Sequence, residues 1–393
     1  MNQIRTFLIL AWLMVAVLLW MEWGKEKTAA AQPQTSAAQA APSTTVPGAT
    51  ASSAAVPTAP TDAAPVPPAP GAAPVATATT PRQVVVQTDV LRLVLDAGNV
   101  VQADLLGYPQ TRAEGAPPVR MFDTDPLHYY AAQSGWVSSH NSAPSHEGQF
   151  VPEGAVATAT LAQGENTIEV PFVWTGADGV TIRRSFVLTR GDYAIEVKDQ
   201  IVNAGGAQWQ GFPYRQLIRT APAVKRGMTN PESYSLVGAT WFGGDIGYGR
   251  RQLTDFEGDG PLNAKDSSVW VAMVQHHFFS AWIPRADDAS TISMQVDRST
   301  GAARYLIREF GAPIAVAAGQ QATTTARLWV GPKQVDLIQA QGVRGLDRVV
   351  DYSRFSIFAM LGEGLFWVLA KLHGLIGNWG WSIIGLVLLV KLA

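Results

Sequence analysis

The chain has 393 residues, a formal net charge of −2 and no cysteine. This length exceeds one ordinary domain, and the small net charge excludes the overall basic field that attracts nucleic acid. The lack of cysteine excludes disulfides, thiolate zinc sites and cysteine nucleophiles, although it assigns no compartment. Composition varies along the chain, since two apolar ends flank a low-complexity segment and a longer middle region.

An uninterrupted apolar run from Phe7 to Met21 follows Arg5 near the amino terminus. Such a run is either a cleaved signal peptide or an uncleaved signal anchor. Ala29-Ala30-Ala31 is similar to a cleavage site of small residues, but the charged cluster Lys25-Glu26-Lys27 separates it from the run. We therefore predict a transmembrane signal anchor over residues 1–27, with the positively charged amino terminus in the cytoplasm.

Residues 28–81 consist almost wholly of Ala, Pro, Thr, Ser, Val and Gln, with Asp62 as the only charge. Their apolar side chains are too small to offset the entropy cost of folding. Proline at this density keeps a chain extended and semi-stiff. We predict a disordered linker.

Short runs that alternate in character, separated by turn residues, occupy residues 82–335. Alternation with a turn about every 8 to 12 residues is typical of an antiparallel β-sandwich. The region is large for one sandwich, so we expect two extended packed sheets and a mainly β fold. The predicted strands are 83–87, 91–95, 100–106, 166–174, 180–189, 193–203, 208–218, 269–275, 292–296, 303–307 and 323–329.

The carboxy-terminal stretch has two parts, and the first shows the three-and-four spacing of one helix face. We predict a linker and an amphipathic helix over residues 336–376. An amphipathic helix is more often a core-facing element of a globular domain, but the large rings here favour a helix in the membrane interface. The residues predicted to lie at the interface are Phe358, Leu365, Phe366, Trp367, Lys371, Trp379 and Trp381.

The second part opens with two tryptophans, Trp379 and Trp381, and continues as an apolar run. Tryptophans at the head of such a run are typical of the headgroup layer of a bilayer. The run is shorter than the roughly 20 residues that spanning requires. We therefore predict that residues 377–393 are the start of a transmembrane helix that is truncated partway.

Lys391 is the single charge of this run. A lysine near a helix end commonly extends towards the interface. If the two tryptophans mark the outer interface, however, Lys391 lies about 15–18 Å deeper, near the middle of the bilayer. A charge at that depth is costly and usually faces a partner or a water-filled cavity.

The sequence predicts no catalytic site and no cofactor. His276 and His277 are adjacent, and in an extended run adjacent side chains point to opposite faces, so the two would not line one site. We interpret the segment 242–245 as a turn. Neither a Gly-rich phosphate loop nor a nucleophile elbow is present.

Three histidines further upstream, His128, His140 and His146, also predict no metal site. His146-Glu147 begins like the HExxH metalloprotease motif, but Phe150 stands where the second histidine would be. A site built on His140 and His146 would need further ligands that no spacing supplies.

Five segments of the chain resemble the YidC membrane insertases of Gram-negative bacteria. They are Gln87–Leu91, Trp270–Pro284, Leu328–Lys333, Val350–Tyr352 and Gly377–Ile384. The resemblance implies that residues 82–335 form the large periplasmic domain of that family, a β-supersandwich related in shape to sugar-processing mutarotases.

The resemblance also implies a function, namely insertion, folding and assembly of proteins of the bacterial inner membrane. It implies nascent membrane proteins as partners, together with the lipid bilayer and the Sec translocon including SecDF, and a multi-pass protein. Lys391 stands where the family typically has arginine, the positive charge of a hydrophilic groove. Lysine keeps the charge but lacks the planar fork for bidentate contacts. Since the family's remaining transmembrane helices are missing, we expect no activity from this chain by itself.

Two other classes of function remain open. An anchored carbohydrate-binding or sugar-modifying domain would need an aromatic-lined cleft, for which Trp174, Trp209, Trp241 and Trp282 could supply rings. Buried strand tryptophans are nevertheless the commoner case. A purely structural envelope tether would agree with the linker, but it leaves a lysine inside the membrane unexplained.

Overall fold

The computed structural model describes residues 56–57, 82–148, 150–154, 157–222, 235–260, 262–286, 288–350 and 356–392. The side chains of residues 356–360 and 363 lie outside that description. The predicted anchor over residues 1–27 lies outside the described residues, and so does the predicted linker over residues 28–81 apart from residues 56–57.

Most of the described chain forms β-strands. In chain order they are β1 Gln83–Gln87, β2 Leu91–Asp96, β3 Asn99–Pro109, β4 Pro118–Phe122, β5 Tyr130–Val137, β6 Val151–Pro152, β7 Thr158–Thr160, β8 Thr167–Thr175, β9 Val180–Thr189, β10 Ala194–Asn203, β11 Trp209–Thr220, β12 Gly238–Gly243, β13 Gly247–Gln252, β14 Asn263–Asp266, β15 Trp270–Val274, β16 Phe278–Pro284, β17 Ser290–Asp297, β18 Arg304–Gly311, β19 Ile314–Val316 and β20 Gln321–Pro332.

These strands form two large sheets. The first sheet has 11 strands in the order β14-β17-β18-β11-β5-β3-β2-β1-β7, with β19 paired to β11 and β4 paired to β3. The second sheet has 9 strands in the order β13-β12-β15-β16-β20-β10-β9-β8-β6. Among the described strands, β1 and β7 form the one parallel pair. The prediction of a mainly β, antiparallel sandwich is confirmed.

The two sheets bury a common apolar core between them. In β2, for example, Leu91, Leu93 and Leu95 are buried and the intervening residues are half-buried, because successive side chains of a strand point to opposite faces. The core is rich in large rings. Trp136, Trp209 and Trp282 are fully buried in it, and Trp270 and Trp329 are fully buried on the face of the second sheet that points away from the first.

A buried ion pair joins the two sheets inside this core. Arg184 on β9 lies opposite Asp199 on β10 and is only 2% exposed. Its Nε and Nη2 donate to the two carboxylate oxygens of Asp199, both at 2.7 Å. Its Nη1 reaches the first sheet and donates to the carbonyl oxygens of Ser134 and Gly98 at 3.1 and 3.2 Å. Trp136 of the first sheet completes the cluster by donating from Nε1 to Asp199 at 2.7 Å.

After β20 the chain crosses the face of the second sheet that points away from the first. Trp282 faces the first sheet, because its Nε1 donates to Gln216 O at 3.1 Å. Val271 is the cross-strand partner of Trp282, so Trp270 points to the opposite, outer face. On that face Trp270 Nε1 donates to Arg344 O at 3.1 Å. We call residues 333–350 the strap.

The strap contains helix α1 (Val335–Ala340) and a 3₁₀ turn (Leu346–Val349). Its apolar residues Ile338, Leu346 and Val349 are buried in the core cluster that they share with the sheets. The beginning of residues 336–376 was predicted to be a linker, and in this respect the structure differs. Burial of three apolar side chains makes the strap a part of the folded β region.

Two further helices follow, α2 (Ser356–Ile376) and α3 (Trp379–Leu392). The first agrees with the helix predicted from three-and-four spacing before residue 376. The short gap between the two helices is described with the candidate site below.

We predict that replacing Arg184 with Met lowers the free energy of unfolding by about 3–5 kcal/mol, because Asp199 then remains buried without its cation. Chemical denaturation of the chain in an uncharged detergent, followed by tryptophan fluorescence, measures the loss. Arg183 is the matched control, since it pairs with Glu153 and Glu169 while about 40% exposed. Arg183→Met should cost less than about 1 kcal/mol. Equal losses in the two variants would refute the role given to Arg184.

Asp266 on β14 holds the turn between β12 and β13. Its Oδ2 accepts the N–H groups of Ile246 at 2.8 Å and Asp245 at 2.9 Å, and its Oδ1 accepts that of Ser267 at 2.7 Å. The turn predicted at residues 242–245 is confirmed in part, since the turn comprises residues 244–246 while Phe242 and Gly243 belong to β12. The hydrogen bond from Ile246, followed by those from Asp245 and Ser267, lowers the pKa of Asp266.

A carboxyl group whose pKa is lowered by folding stabilises the protein above its unfolded pKa of about 3.9, and that contribution is lost as the pH falls through the folded value. We therefore expect Asp266→Asn to cost about 1 kcal/mol at neutral pH. The cost should shrink as the pH falls below about 4. Denaturant titrations of both proteins between neutral and acid pH test this, and a cost that stays constant down to about pH 2 would contradict it.

Candidate functional site

Helices α2 and α3 are joined by the two residues Gly377 and Asn378. Gly377 has a φ of +70°, and its N–H donates to His373 O at 2.7 Å, which ends α2 in the usual left-handed conformation. Asn378 Oδ1 accepts the N–H groups of Gly380 at 2.9 Å and Trp381 at 3.3 Å, and thereby caps α3. This cap was not predicted, although a Gly-Asn pair before an apolar run could have indicated it.

The two helices contact each other close to this turn. The rings of His373 and Trp379 stack with centroids 3.8 Å apart and planes 11° apart. Ser382 is fully buried, and its hydroxyl donates to Asn378 O at 2.8 Å. A Cβ placed on Gly385 would lie 3.7 Å from Leu372 Cδ1, so the helices also approach closely there. We call residues 356–392 the helical hairpin.

The helical hairpin carries most of the exposed large apolar side chains. Fourteen of the eighteen such side chains in the described ranges belong to it. Soluble monomers rarely expose a contiguous apolar surface of this kind, which usually contacts a membrane or a partner. The side chains are those of Leu361, Phe366, Trp367, Leu375, Ile376, Trp379, Trp381, Ile383, Ile384, Val387, Leu388, Leu389, Val390 and Leu392.

Most of the residues predicted to lie at a membrane interface are on this surface. Trp367 and Trp381 are 62% and 63% exposed. The ammonium of Lys371 lies 5.9 Å from the centroid of the Trp367 ring, one helical turn away. Leu365 is half-buried, and the side chain of Phe358 lies outside the described residues. The surface thus combines exposed rings with a cation beside one of them.

Lys391 lies in the last turn of α3 and is exposed. Its sequence neighbours Val390 and Leu392 are exposed apolar residues. Within the described part of the chain, Lys391 has no hydrogen-bond or ion-pair partner. It is therefore a single cation at the end of an apolar helix.

The lengths of the two helices bear on the predicted membrane span. Helix α2 has 21 residues and α3 has 14. Over the described ranges, no helix combines the length and the apolarity needed to cross a membrane. The transmembrane helix predicted to begin at residue 377 is therefore not confirmed.

The adjacent histidines do not lie in an extended strand. Strand β15 ends at Val274 and β16 begins at Phe278, so His276 and His277 form the tight turn between them. Their ring centroids are 3.9 Å apart, and both line a cavity of about 470 Å³ together with Tyr108. The expectation that the two histidines could not line one site applied to an extended run, and it does not hold here because the chain reverses at this point.

Three further histidines, His128, His140 and His146, are spread over the β region. The ring of His146 is buried, with Nδ1 2.7 Å from the hydroxyl of Tyr214. Burial raises the pKa of Tyr214 to about 12, so the phenol stays protonated at neutral pH. His140 contacts Ser139, and His128 contacts Asp125. The described residues contain no group of three or more His, Cys, Asp or Glu side chains that could hold a metal ion.

The four tryptophans considered for a carbohydrate cleft divide into two groups. Trp209 and Trp282 are buried in the core, and their Nε1 atoms donate to Ser142 O and Gln216 O at 3.1 Å. Trp174 and Trp241 are half-buried and pack against the same core. At least two of the four rings therefore serve packing and do not line an open cleft.

Comparison with known proteins gives a consistent assignment. The family model for the YidC periplasmic domain matches residues 83–368. A membrane protein insertase YidC of Xanthomonas euvesicatoria is 51% identical over 401 residues, covering 100% of this chain and 69% of that protein. The protein of the same description from Stenotrophomonas maltophilia R551-3 is 50% identical, covering 100% and 68%.

Solved structures give a weaker similarity. A galactose mutarotase related enzyme from Lactobacillus acidophilus matches 63% of this chain and 97% of its own, with a TM-score of 0.41 and 9% identity. This similarity is too low to bear on function. Sequence identity of about half over the whole chain is decisive, and with the family model it shows that the chain belongs to the YidC family of membrane protein insertases.

Proposed function

We propose that the chain takes part in the insertion, folding and assembly of proteins in the bacterial inner membrane, with residues 82–335 in the periplasm. Family membership supports this proposal, since relatives about 50% identical over the whole chain carry the description membrane protein insertase. The observation that carries it is the helical hairpin, whose exposed apolar side chains would be costly in water.

The hairpin would occupy two depths of the membrane. Helix α2 would lie in the interface, where the ring of Trp367 and the ammonium of Lys371 suit the headgroup layer. Helix α3 would begin at the same layer with Trp379 and Trp381 and lead its apolar side chains inward. On this proposal α3 is the start of a transmembrane helix, and residues 1–27 supply another span of a multi-pass protein.

Lys391 would be the positive charge of a hydrophilic groove inside the bilayer. A charge near the bilayer centre costs about 2.5–3.5 kcal/mol on insertion scales, so it persists where it faces water or a partner. A wet, positively charged groove would lower the cost of moving a polar segment of a client protein across. The client helix would then move sideways into lipid, because its own apolar surface favours that environment.

The β region would dock partners on the periplasmic side. The Sec translocon with SecDF is the partner that the family resemblance suggests. The strap favours a coupled arrangement, because it is packed on the second sheet and ends only six residues before α2 begins. A partner held by the β region would therefore be kept close to the helical hairpin.

The carbohydrate-binding or sugar-modifying alternative is not favoured. Two of the four tryptophan rings considered for a cleft are buried in the core. The relatives at about 50% identity are described as insertases. A tether alone would not need the exposed apolar hairpin or a lysine at its end.

The depth of the hairpin can be tested with single fluorescent labels, because the chain has no cysteine of its own. We expect a label on Leu388→Cys in phospholipid vesicles to be quenched by nitroxides deep in the acyl chains. A label on Trp381→Cys should be quenched best by nitroxides near the headgroups. The control is Leu127→Cys, an equally apolar residue of the β region that is 76% exposed. Its label should respond only to iodide in the water, and the same response at position 388 would refute the proposal.

The role of Lys391 can be tested in insertase-depleted cells that express the intact gene. We expect Lys391→Arg to restore growth and membrane insertion, because it keeps the positive charge, and Lys391→Ala to reduce insertion about tenfold or more. Lys371→Ala is the matched control, since it removes another exposed lysine of the hairpin outside the proposed groove. Full insertion by the Lys391→Ala protein would mean that the groove needs another residue.

A further inference from the structure

A cleft of about 390 Å³ lies between the strap and the outer face of the second sheet. The strap contributes Gly342, Val343 and Arg344 to one wall. Strands β10, β15, β16 and β20, with the residues that flank β15 and β16, contribute the floor and the opposite wall. The cleft is thus built from segments that are far apart in the sequence, and it lies outside the helical hairpin.

Three arginines line this cleft, Arg285, Arg327 and Arg344. Arg327 donates from Nη1 to the carbonyl and side-chain oxygens of Gln341 at 3.0 and 3.2 Å. The guanidinium of Arg344 lies 5.7 Å from the ring centroid of Phe242. Within the described ranges, the guanidinium of Arg285 has no hydrogen-bond or ion-pair partner, while its carbonyl oxygen accepts from Asp288 N at 3.2 Å. One acidic residue, Glu196, also lines the cleft, so positive charge prevails in a chain whose net charge is −2.

The floor of the cleft is apolar. Val269, Trp270 and Ile283 are buried residues that line it, while Ser268 and Thr325 add hydroxyl groups. A ligand that suits this cleft therefore combines an anionic group with an apolar one. The volume falls in the range of ordinary ligand sites.

The cleft is held in shape by contacts across it. The ring of Trp270 is tied to the strap by its hydrogen bond to Arg344 O. Gln341 accepts from Arg327 and donates from its side chain to Asp192 at 3.1 Å. Because these contacts hold the walls of the cleft together, binding would require little ordering of the protein.

We propose that this cleft binds an organic carboxylate carried on an apolar group, either the acidic side chain of a peptide or a free organic acid. The planar guanidinium fork matches a carboxylate in geometry and charge. Inorganic phosphate is disfavoured, because it carries no apolar group to cover Val269, Trp270 and Ile283 on the floor of the cleft. The proposal uses no residue of the helical hairpin, so its failure would not affect the proposed insertase function.

The test is calorimetric titration of the full chain in an uncharged detergent with four probes. They are the capped dipeptide acetyl-Leu-Glu-amide, its neutral counterpart acetyl-Leu-Gln-amide, hexanoate and inorganic phosphate. We expect the acidic dipeptide or hexanoate to bind, and the neutral dipeptide and phosphate to bind at least about tenfold more weakly. Tighter binding of the dipeptide assigns the peptide as the source, and tighter binding of hexanoate assigns a free acid.

Substitutions then locate the site. Arg285→Gln and Arg344→Gln should each weaken binding of the acidic probe about tenfold or more, since each removes one charged partner. Arg112→Gln is the matched control, because Arg112 is an exposed arginine that does not line the cleft. The Arg112→Gln protein should bind the acidic probe with the same affinity as the unchanged protein. Circular dichroism shows whether each variant is folded.

Several results would overturn the proposal. They are an absence of heat with both acids, equal binding of the neutral dipeptide, and tighter binding of phosphate than of either acid. Unchanged affinity in folded Arg285→Gln and Arg344→Gln proteins would overturn it as well, because binding would then occur elsewhere on the chain.

Discussion

The ion pair of Arg184 with Asp199 is the constraint on which the β region depends. Both side chains belong to the second sheet, yet Arg184 also donates to two carbonyl groups of the first sheet and Asp199 accepts from Trp136 of the first sheet. A buried charge is stable only when such partners satisfy it. Any sliding of one sheet over the other would break several of these bonds together, so the cluster fixes the register of the sandwich. The core rings of both sheets are packed around this fixed register.

That register also determines what lies on the outer face of the second sheet. Trp282 points to the first sheet, and so does its cross-strand partner Val271. The preceding residue, Trp270, therefore points outward. The strap covers that ring and accepts its indole N–H through Arg344. The charged cleft exists because the strap covers the outer face only partly. The strap and the cleft therefore both depend on the arrangement of strands that places Trp282 in the core and Trp270 on the outer face.

Much of the fold could be predicted from the sequence, because many strands are buried on one face. Strand β9 was predicted with its observed bounds, since its side chains alternate between core and surroundings. Strand β5 was missed, because nearly all of its residues are buried and no alternation remains. The tight turn at His276 was missed for the same reason, since β15 and β16 on either side of it are almost fully buried.

The candidate sites also differ in how far the sequence alone predicts them. The helical hairpin was recognisable because its apolar residues follow one another along the chain, and its aromatic residues precede the apolar run. The cap at Asn378 and the contact between the helices at Gly385 depend on atomic distances that spacing does not provide. The arginine cleft could not be predicted, because it assembles residues of β10, β20 and the strap that only the folded sheet brings together.

The position of β20 has a consequence for the order of biosynthesis. It lies in the middle of the second sheet, between β16 and β10, although it is the last of the strands in the part of the chain that the structure describes. Before β20 leaves the ribosome, the two halves of that sheet have no strand to join them, and the strap that covers Trp270 is still unmade. Chains fold as they are synthesised from the amino terminus. The β region therefore completes its second sheet only shortly before the helical hairpin is synthesised, so that closure of that sheet and synthesis of the hairpin fall in the same interval of translation.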